Sequence, residues 1–156
     1  MTGKRVLESQ VSLNQLMLPE HANPMGSVHG GNIMKLVDET GGLCAMRHSR
    51  RPVVTVAMDS MTFHQPVNVG DMLMLEANMT WVGSSSMEVE VMVKAENLLT
   101  GEQTHTNTAY LVYVALDDTG RTTSVPPLLI ETEQEKRRWQ EAKARQRRRI
   151  KASKPI

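Results

Sequence analysis

Aromatic side chains are nearly absent: the 156 residues include one Phe, two Trp and two Tyr, against twelve Met. Ring stacking therefore has little part in recognition, and a core of adaptable aliphatic and thioether side chains is expected. Cysteine is as scarce. Cys44 stands alone, which excludes an internal disulfide and a cysteine-built metal site within one chain, and its helical context predicts a small buried side chain. No apolar run approaches the ~20 residues that span a bilayer. The polar residues 1–10 also lack the apolar stretch of a secretory signal, so a protein kept in the cytoplasm and away from membranes is expected. The motifs G-x-S-x-G, H-E-x-x-H, G-x-x-x-x-G-K-[ST] and G-x-G-x-x-G are missing too. The stretch Gly26-Ser27-Val28-His29-Gly30 is only superficially similar to the first, because its serine is misplaced and no strand runs directly into it. His21, His29, His48, His64 and His105 show no ligand spacing, so no metal is expected, and nothing in the sequence calls for a cofactor.

The net charge of +1 hides an asymmetry. Residues 131–156 hold ten Lys/Arg and four Asp/Glu, leaving eight basic and thirteen acidic residues before them. Along the acidic body, Val11, Leu13 and Met17 alternate with polar residues, which predicts a strand over 8–18 ending at Pro19. Residues 20–29 have a loop composition. Ile33, Val37, Cys44 and His48 then recur near helical spacing, predicting a long helix over 29–48. Gly41 and Gly42 lie in its middle at roughly 1 kcal/mol each relative to alanine, which implies close packing of that helix on a sheet. Four β-rich runs follow, 53–63, 72–82, 87–95 and 104–116, separated by Gly- and Asn-containing turns. In the third run Val89, Val91 and Val93 alternate with Glu88, Glu90, Met92 and Lys94, giving one apolar and one mostly polar face. One helix against mainly antiparallel strands is an α+β arrangement. Pro126 and Pro127 bar regular structure, and from Glu131 a terminal helix is expected, acidic in its first turns and basic in its last. With no good apolar stripe beyond Trp139, it reads as a solvated helix or as a docking surface for phosphates and anionic partners.

Chemistry concentrates in residues 23–39, NPMGSVHGGNIMKLVDE. At a helix N-terminus the first backbone N–H groups lack internal partners and the dipole is positive. Gly30 and Gly31 leave room for a substrate to approach them, which makes either an oxyanion hole or simply a tight loop-to-helix junction. Met34, Asp38, Gly41 and Ala45 follow steps of four, three and four and share one row of the helix. Asp38 then faces an apolar strip and suits a general base or a nucleophile; the alternative is a solvated rim carboxylate like Glu39. The two elements stand ~10–13 Å apart along the axis. A substrate reaching both must bend, or a second subunit must contribute.

The segment 23–39 resembles the signature of acyl-CoA thioesterases of the hotdog superfamily, in the branch of cytosolic acyl-CoA hydrolases. Further blocks agree in order and spacing: Arg47-His48, residues 53–59, Phe63, Pro66-Val67, Gly70-Asp71, residues 82–89, Thr108-Ala109-Tyr110 and Val125-Pro126-Pro127. The resemblance covers about residues 8–140. It implies a hotdog domain over 8–130, a helix wrapped by a curved antiparallel sheet, followed by a basic helix or tail over 131–156. It further implies dimers whose sheets are continuous, active sites at the subunit interface, and hexamers built as trimers of dimers. The implied activity is hydrolysis of fatty acyl-CoA, with CoA as part of the substrate and no separate cofactor. Asn23 and Asp38 correspond to the family's catalytic pair, and His29, Gly30 and Gly31 to its carbonyl-polarising turn. Ser84, Ser85, Ser86 and Arg47 are candidates for contacting the CoA moiety. Two other readings stay open: an acyl-thioester dehydratase of the same fold, which uses a catalytic His with an acidic partner, and a CoA-ester-sensing module with the basic tail on a nucleic acid or protein. Residues 145–151 are basic without interleaved aromatics, which argues against single-strand binding.

Overall fold

The computed structural model describes residues 1–59 and 61–153; position 60 of the expected strand 53–63 and positions 154–156 of the tail lie outside them. The chain opens on a short strand β1 (Lys4–Arg5) and one helical turn α1 (Val6–Ser9) before strand β2 (Val11–Leu16). The strand expected over 8–18 is therefore shorter at its start. Glu8 accepts a hydrogen bond from the Arg5 N–H at 2.6 Å, which closes a helical turn where alternation alone suggests extension. Within β2 the period of two holds: Val11, Leu13 and Gln15 are half-buried while Ser12, Asn14 and Leu16 are exposed.

Helix α2 (Gly30–Ser49) follows the loop and buries Ile33, Leu36, Val37, Thr40, Cys44 and His48 at helical spacing. It ends at Arg50, which takes the left-handed conformation with φ 56° and donates its N–H to the Met46 carbonyl, a C-terminal cap. Strands β3 (Val53–Met58), β4 (Asp71–Val82), β5 (Ser86–Asn97) and β6 (Gln103–Ala115) come next. The last three match their expected spans within two residues. The first stops at Met58; beyond it the Asp59 N–H reaches the Tyr110 carbonyl and the His64 N–H that of Thr106. A two-residue strand β7 (Leu128–Leu129) pairs in parallel with β1, and helix α3 (Glu133–Ser153) closes the chain.

The main sheet has the order β2-β4-β5-β6-β3, with every neighbouring pair antiparallel. It wraps α2, and the core lies between them, built on Val37, Cys44, Leu75, Met79, Val91 and Leu111. This is the hotdog arrangement that the resemblance implies. Edge strand β3 leaves Val54, Thr55 and Val56 exposed.

Part of the second face of β5, polar in the sequence, is closed to water: Glu88 and Glu90 are buried, whereas Met92 is half-buried and Lys94 exposed. Helix α3 packs over the buried part, and Glu88 has 0% exposure. Its carboxylate accepts from Arg145 at 2.8 and 3.1 Å, from Thr80 at 2.7 Å and from Gln146 at 3.2 Å. Arg149 bridges to Asp59 at 3.0 Å, and the Arg145 guanidinium stacks 3.7 Å over the Tyr110 ring. The reading of α3 as solvated is thus wrong for its inner face. The inward row Arg138, Ala142, Arg145 and Arg149 keeps helical steps, but its contacts are charged, so no apolar stripe announces it. A buried pair of this kind adds little relative to apolar packing, yet losing one member leaves an uncompensated charge.

Two stability predictions follow from these contacts. Replacing Glu88 with Ala should cost about 3–5 kcal/mol through the stranded Arg145, read as a lower midpoint in urea unfolding with α3 released. His48 is fully buried and its Nε2 lies 2.7 Å from the Pro126 carbonyl. Burial chiefly holds its pKa below the ordinary 6.5, against the opposing pull of that carbonyl. The folded state therefore resists a proton that the unfolded chain accepts. This contribution to stability is intact above the unfolded pKa and declines as pH falls below about 6.5 toward the folded value. Unfolding measured at pH 7.5 and 5.5 should show that decline in the wild type and a weaker one in His48→Gln.

Candidate active site

Asp38 sits in the third turn of α2, half-buried where the helix crosses the sheet. Its Oδ1 accepts from Thr55 Oγ1 at 2.8 Å and from Tyr113 Oη at 3.1 Å. The same Tyr113 hydroxyl lies 2.9 Å from the Asp38 backbone carbonyl. Among the described residues both donors fall on Oδ1, and Oδ2 receives none. Tyr113 is buried on β6; burial first, and then the Asp38 charge, raise its pKa, so its hydroxyl stays a donor. Thr55 comes from the exposed edge strand β3.

The glycine pair of α2 explains how Tyr113 gets there. A Cβ built on Gly41 would collide with Tyr113 Oη and lie 3.2 Å from its ring, whereas one on Gly42 would meet the ring only at 3.7 Å. Asp38 opens on a groove of about 420 Å³ lined also by Leu13, Leu43, Met46, Thr55 and Tyr113. The groove is largely apolar, but the row read from the sequence does not line it: Met34 is exposed, Gly41 and Ala45 are buried, and the helical lining comes from Gly42, Leu43 and Met46 instead. Glu39 also borders it but is half-exposed, 4.0 Å from Lys35.

The loop-to-helix turn is ordered by its own side chains. Asn23 Oδ1 accepts from the N–H groups of Met25 at 2.9 Å and Ser27 at 3.3 Å, and its Nδ2 donates to Ser27 Oγ. His29 Nδ1 takes the Gly31 N–H at 3.0 Å. Of the two glycine amides only Gly30 N–H makes no hydrogen bond to a protein acceptor among the described residues; the edge of Phe63 packs 3.4 Å from where a Gly30 Cβ would stand. None of Asn23, His29, Gly30 and Gly31 lines the Asp38 groove. A single chain therefore does not unite the turn with the carboxylate.

Ser84, Ser85 and Ser86 form the hairpin between β4 and β5, and they also lie outside that groove. The Ser84 and Ser85 carbonyls accept from Val125 and Ala115, and that of Ser86 from Gly83. Arg47 donates to the Gln10 carbonyl at 2.6 Å. It borders a second groove of about 470 Å³ together with Arg50 and Arg51, sharing Leu43 and Met46 with the first. Among the described residues no three His, Cys, Asp or Glu side chains converge to hold a metal. Burial pushes the Cys44 thiol up to about 12, so it stays protonated and unreactive, in keeping with a structural core position.

Residues 25–102 match the thioesterase superfamily. The chain is 41% identical over 128 residues to the uncharacterized acyl-CoA thioester hydrolase YkhA of Bacillus subtilis, covering 82% of this chain and 74% of that protein. It is 39% identical over 139 residues to the human cytosolic acyl coenzyme A thioester hydrolase, covering 88% of this chain but only 37% of the human one. Among solved structures, an apo-hexameric acyl-CoA thioesterase superimposes with a TM-score of 0.94 at 38% identity, covering 100% of both chains. An acyl-CoA hydrolase from Staphylococcus aureus, solved with butyryl coenzyme A, coenzyme A and coenzyme A disulfide, does so at 0.85 and 33% identity over 96% of this chain and 93% of that one. Further structures of the Staphylococcus aureus enzyme carry alanine in place of an aspartate, an asparagine or a threonine.

The unequal clearance at the two glycines sets a test. Gly42→Ala should be neutral or stabilising by up to about 1 kcal/mol, the helix-propensity gain. Gly41→Ala should lose about 1–3 kcal/mol to overpacking despite the same gain. Thermal unfolding of the two variants side by side measures the difference; equal effects would contradict the close fit of Tyr113.

Proposed function

The chain belongs to the thioesterase superfamily and is an acyl-CoA thioester hydrolase; we propose that it releases free fatty acid and CoA by Asp38-assisted attack of water on the thioester. The observation that carries this reading is the Asp38 carboxylate, tied at Oδ1 by two hydroxyls, with no donor to Oδ2 among the described residues, at the border of a largely apolar groove. In the proposed step water gives a proton to Oδ2 while its oxygen bonds to the carbonyl carbon. Charge gathering on the carbonyl oxygen is met by the Gly30 N–H at the positive end of α2, with His29 and Gly31 holding the turn in shape. The C–S bond then breaks and CoA leaves as a thiolate, whose parent thiol has a pKa of about 8.5 by analogy with cysteine. No strong acid is needed for departure. The proton on Asp38 passes to the thiolate or to water, restoring the carboxylate.

Because one chain keeps Asn23 and Gly30 out of the Asp38 groove, the proposed site forms between two protomers, Asp38 from one and the Asn23–Gly31 turn from the other. The exposed edge of β3 with Val54 and Val56, and the exposed Met34, Leu43 and Met46 of α2, give a second copy both a strand to pair with and apolar surface to cover. Hexameric relatives support a homo-oligomer, and a trimer of such dimers is the arrangement we propose. The asparagine, aspartate and threonine altered in the Staphylococcus aureus enzyme stand fifteen and seventeen positions apart, the separations of Asn23, Asp38 and Thr55 here. That equality supports a shared role for the three.

Arg47, with Arg50 and Arg51 beside it, is the proposed contact for the CoA phosphates: it lies nine helical residues from Asp38, ~13 Å, in an adjoining groove. Ser84, Ser85 and Ser86 are proposed to touch the CoA of a neighbouring protomer. No cofactor enters this scheme. A cytoplasmic location is supported by the likeness to a human enzyme named as cytosolic, and no described helix is long and apolar enough to cross a membrane. Hydrolysis is favoured over dehydration by the likeness to relatives named as acyl-CoA thioester hydrolases. A nucleic-acid role for α3 is disfavoured because Arg145 and Arg149 are spent on Glu88 and Asp59.

Thiol release from acyl-CoA substrates of graded chain length tests the proposal. The wild type should release CoA, and Asp38→Asn should lose roughly 10²–10⁴-fold in kcat while remaining folded, the usual scale for a positioned acid–base group. Asn23→Ala should also lose activity. Full thiol release by a folded Asp38→Asn protein would sink this reading.

A further inference from the structure

We propose that Tyr113 is a positioning residue for this hydrolysis, its hydroxyl fixing the Asp38 side chain so that Oδ2 is presented to the substrate groove. The inference rests on the reading of Asp38 as the catalytic carboxylate. An aspartate on a helix facing a wide groove has two soft torsions and two equivalent oxygens, and packing against apolar neighbours does not distinguish among its orientations. Here one hydroxyl touches both the backbone carbonyl of Asp38, at 2.9 Å, and its Oδ1, at 3.1 Å. The carboxylate is thereby referenced to its own main chain. Thr55 adds a second donor to the same oxygen at 2.8 Å, but from an exposed edge strand; Tyr113 approaches from within the sheet, on a strand paired on both sides.

The helix is shaped around this contact. Glycine is disfavoured in mid-helix, yet Gly41 stands where any Cβ would strike the Tyr113 hydroxyl. A phenylalanine ring would fill the core nearly as well and would not need all of that clearance, so what the glycine specifically admits is the hydroxyl. Burial and the neighbouring carboxylate both raise the Tyr113 pKa, which keeps the proton on the phenol and its donor role constant through the working pH range. Hydrogen bonds to ionised acceptors are the stronger class.

Tyr113→Phe keeps the ring and removes only the donor. The expected result is a fall in kcat of about ten- to a hundred-fold, the scale of a misaligned reacting group, with KM within two-fold of wild type and a nearly unchanged unfolding midpoint. In an Asp38→Asn background the same change should cause no further loss, because there is no carboxylate left to orient. A merely structural tyrosine would move the unfolding midpoint and leave kcat in place. If Asp38→Asn abolishes thiol release while Tyr113→Phe keeps kcat within two-fold of wild type, or raises KM alone, the positioning role is overturned. If Asp38→Asn itself retains full activity, the functional reading beneath it has failed, and the two failures are told apart by that single variant.

Discussion

The fit of the Tyr113 ring against Gly41 governs where α2 lies on the sheet. At any larger residue the helix would have to rise from β6, and the carboxylate one turn earlier would move with it. Because the interior is close-packed, such a shift cannot be absorbed locally. The helix axis, the Asp38 backbone carbonyl and the strand β6 are therefore one rigid unit, with the apolar groove as its open side. This places a group that water would normally surround at the border of an apolar surface, where electrostatic interactions are less screened than in bulk solvent.

That rigidity also has a consequence for assembly. Asp38 and the Gly30 turn are held apart by the length of the helix between them, and no bend in α2 brings them closer. In the proposed site the functional unit includes a second chain, and the surfaces that would suffer from exposure, the β3 edge and the outward methionines and leucine of α2, are the ones proposed to meet it. The edge strand that threatens aggregation in a lone subunit is a pairing surface in a symmetric dimer. On the other side of the sheet, α3 covers the carboxylate of Glu88 with arginines, so that this acid is buried without being left unpaired.

Much of the fold was legible in the sequence, and the reasons differ by element. Strands β4, β5 and β6 and the helix α2 are long and carry clean apolar periods, so their existence and order follow from pattern alone. The turn α1 was not legible because a single side chain, Glu8, decides it. The early end of β3 reflects pairing with β6 that no local composition reports. The docking of α3 was missed for a physical reason: its inner face is held by charge pairs whose partners, Glu88 in β5 and Asp59 beyond β3, lie far away in the sequence. In the candidate site, Asp38 was legible as a carboxylate inside a long helix, and Gly30 because it opens that helix. The capping of Gly31 by His29 depends on a ring rotation that spacing does not encode. Thr55 and Tyr113 come from two different strands and read simply as β-formers; only the costly Gly41–Gly42 pair hinted that something large must approach the helix there.

The central claim is that Asp38 of one protomer works with the Asn23 turn of its partner, and a mixing experiment addresses it most directly. Protomers carrying Asp38→Ala and protomers carrying Asn23→Ala, each inactive alone, are unfolded together, refolded and assayed for thiol release. Random pairing makes half the dimers mixed, each with one intact site, so recovery of about a quarter of wild-type activity is predicted. Refolded mixtures that stay as inactive as their parents, while forming mixed oligomers, would contradict the account.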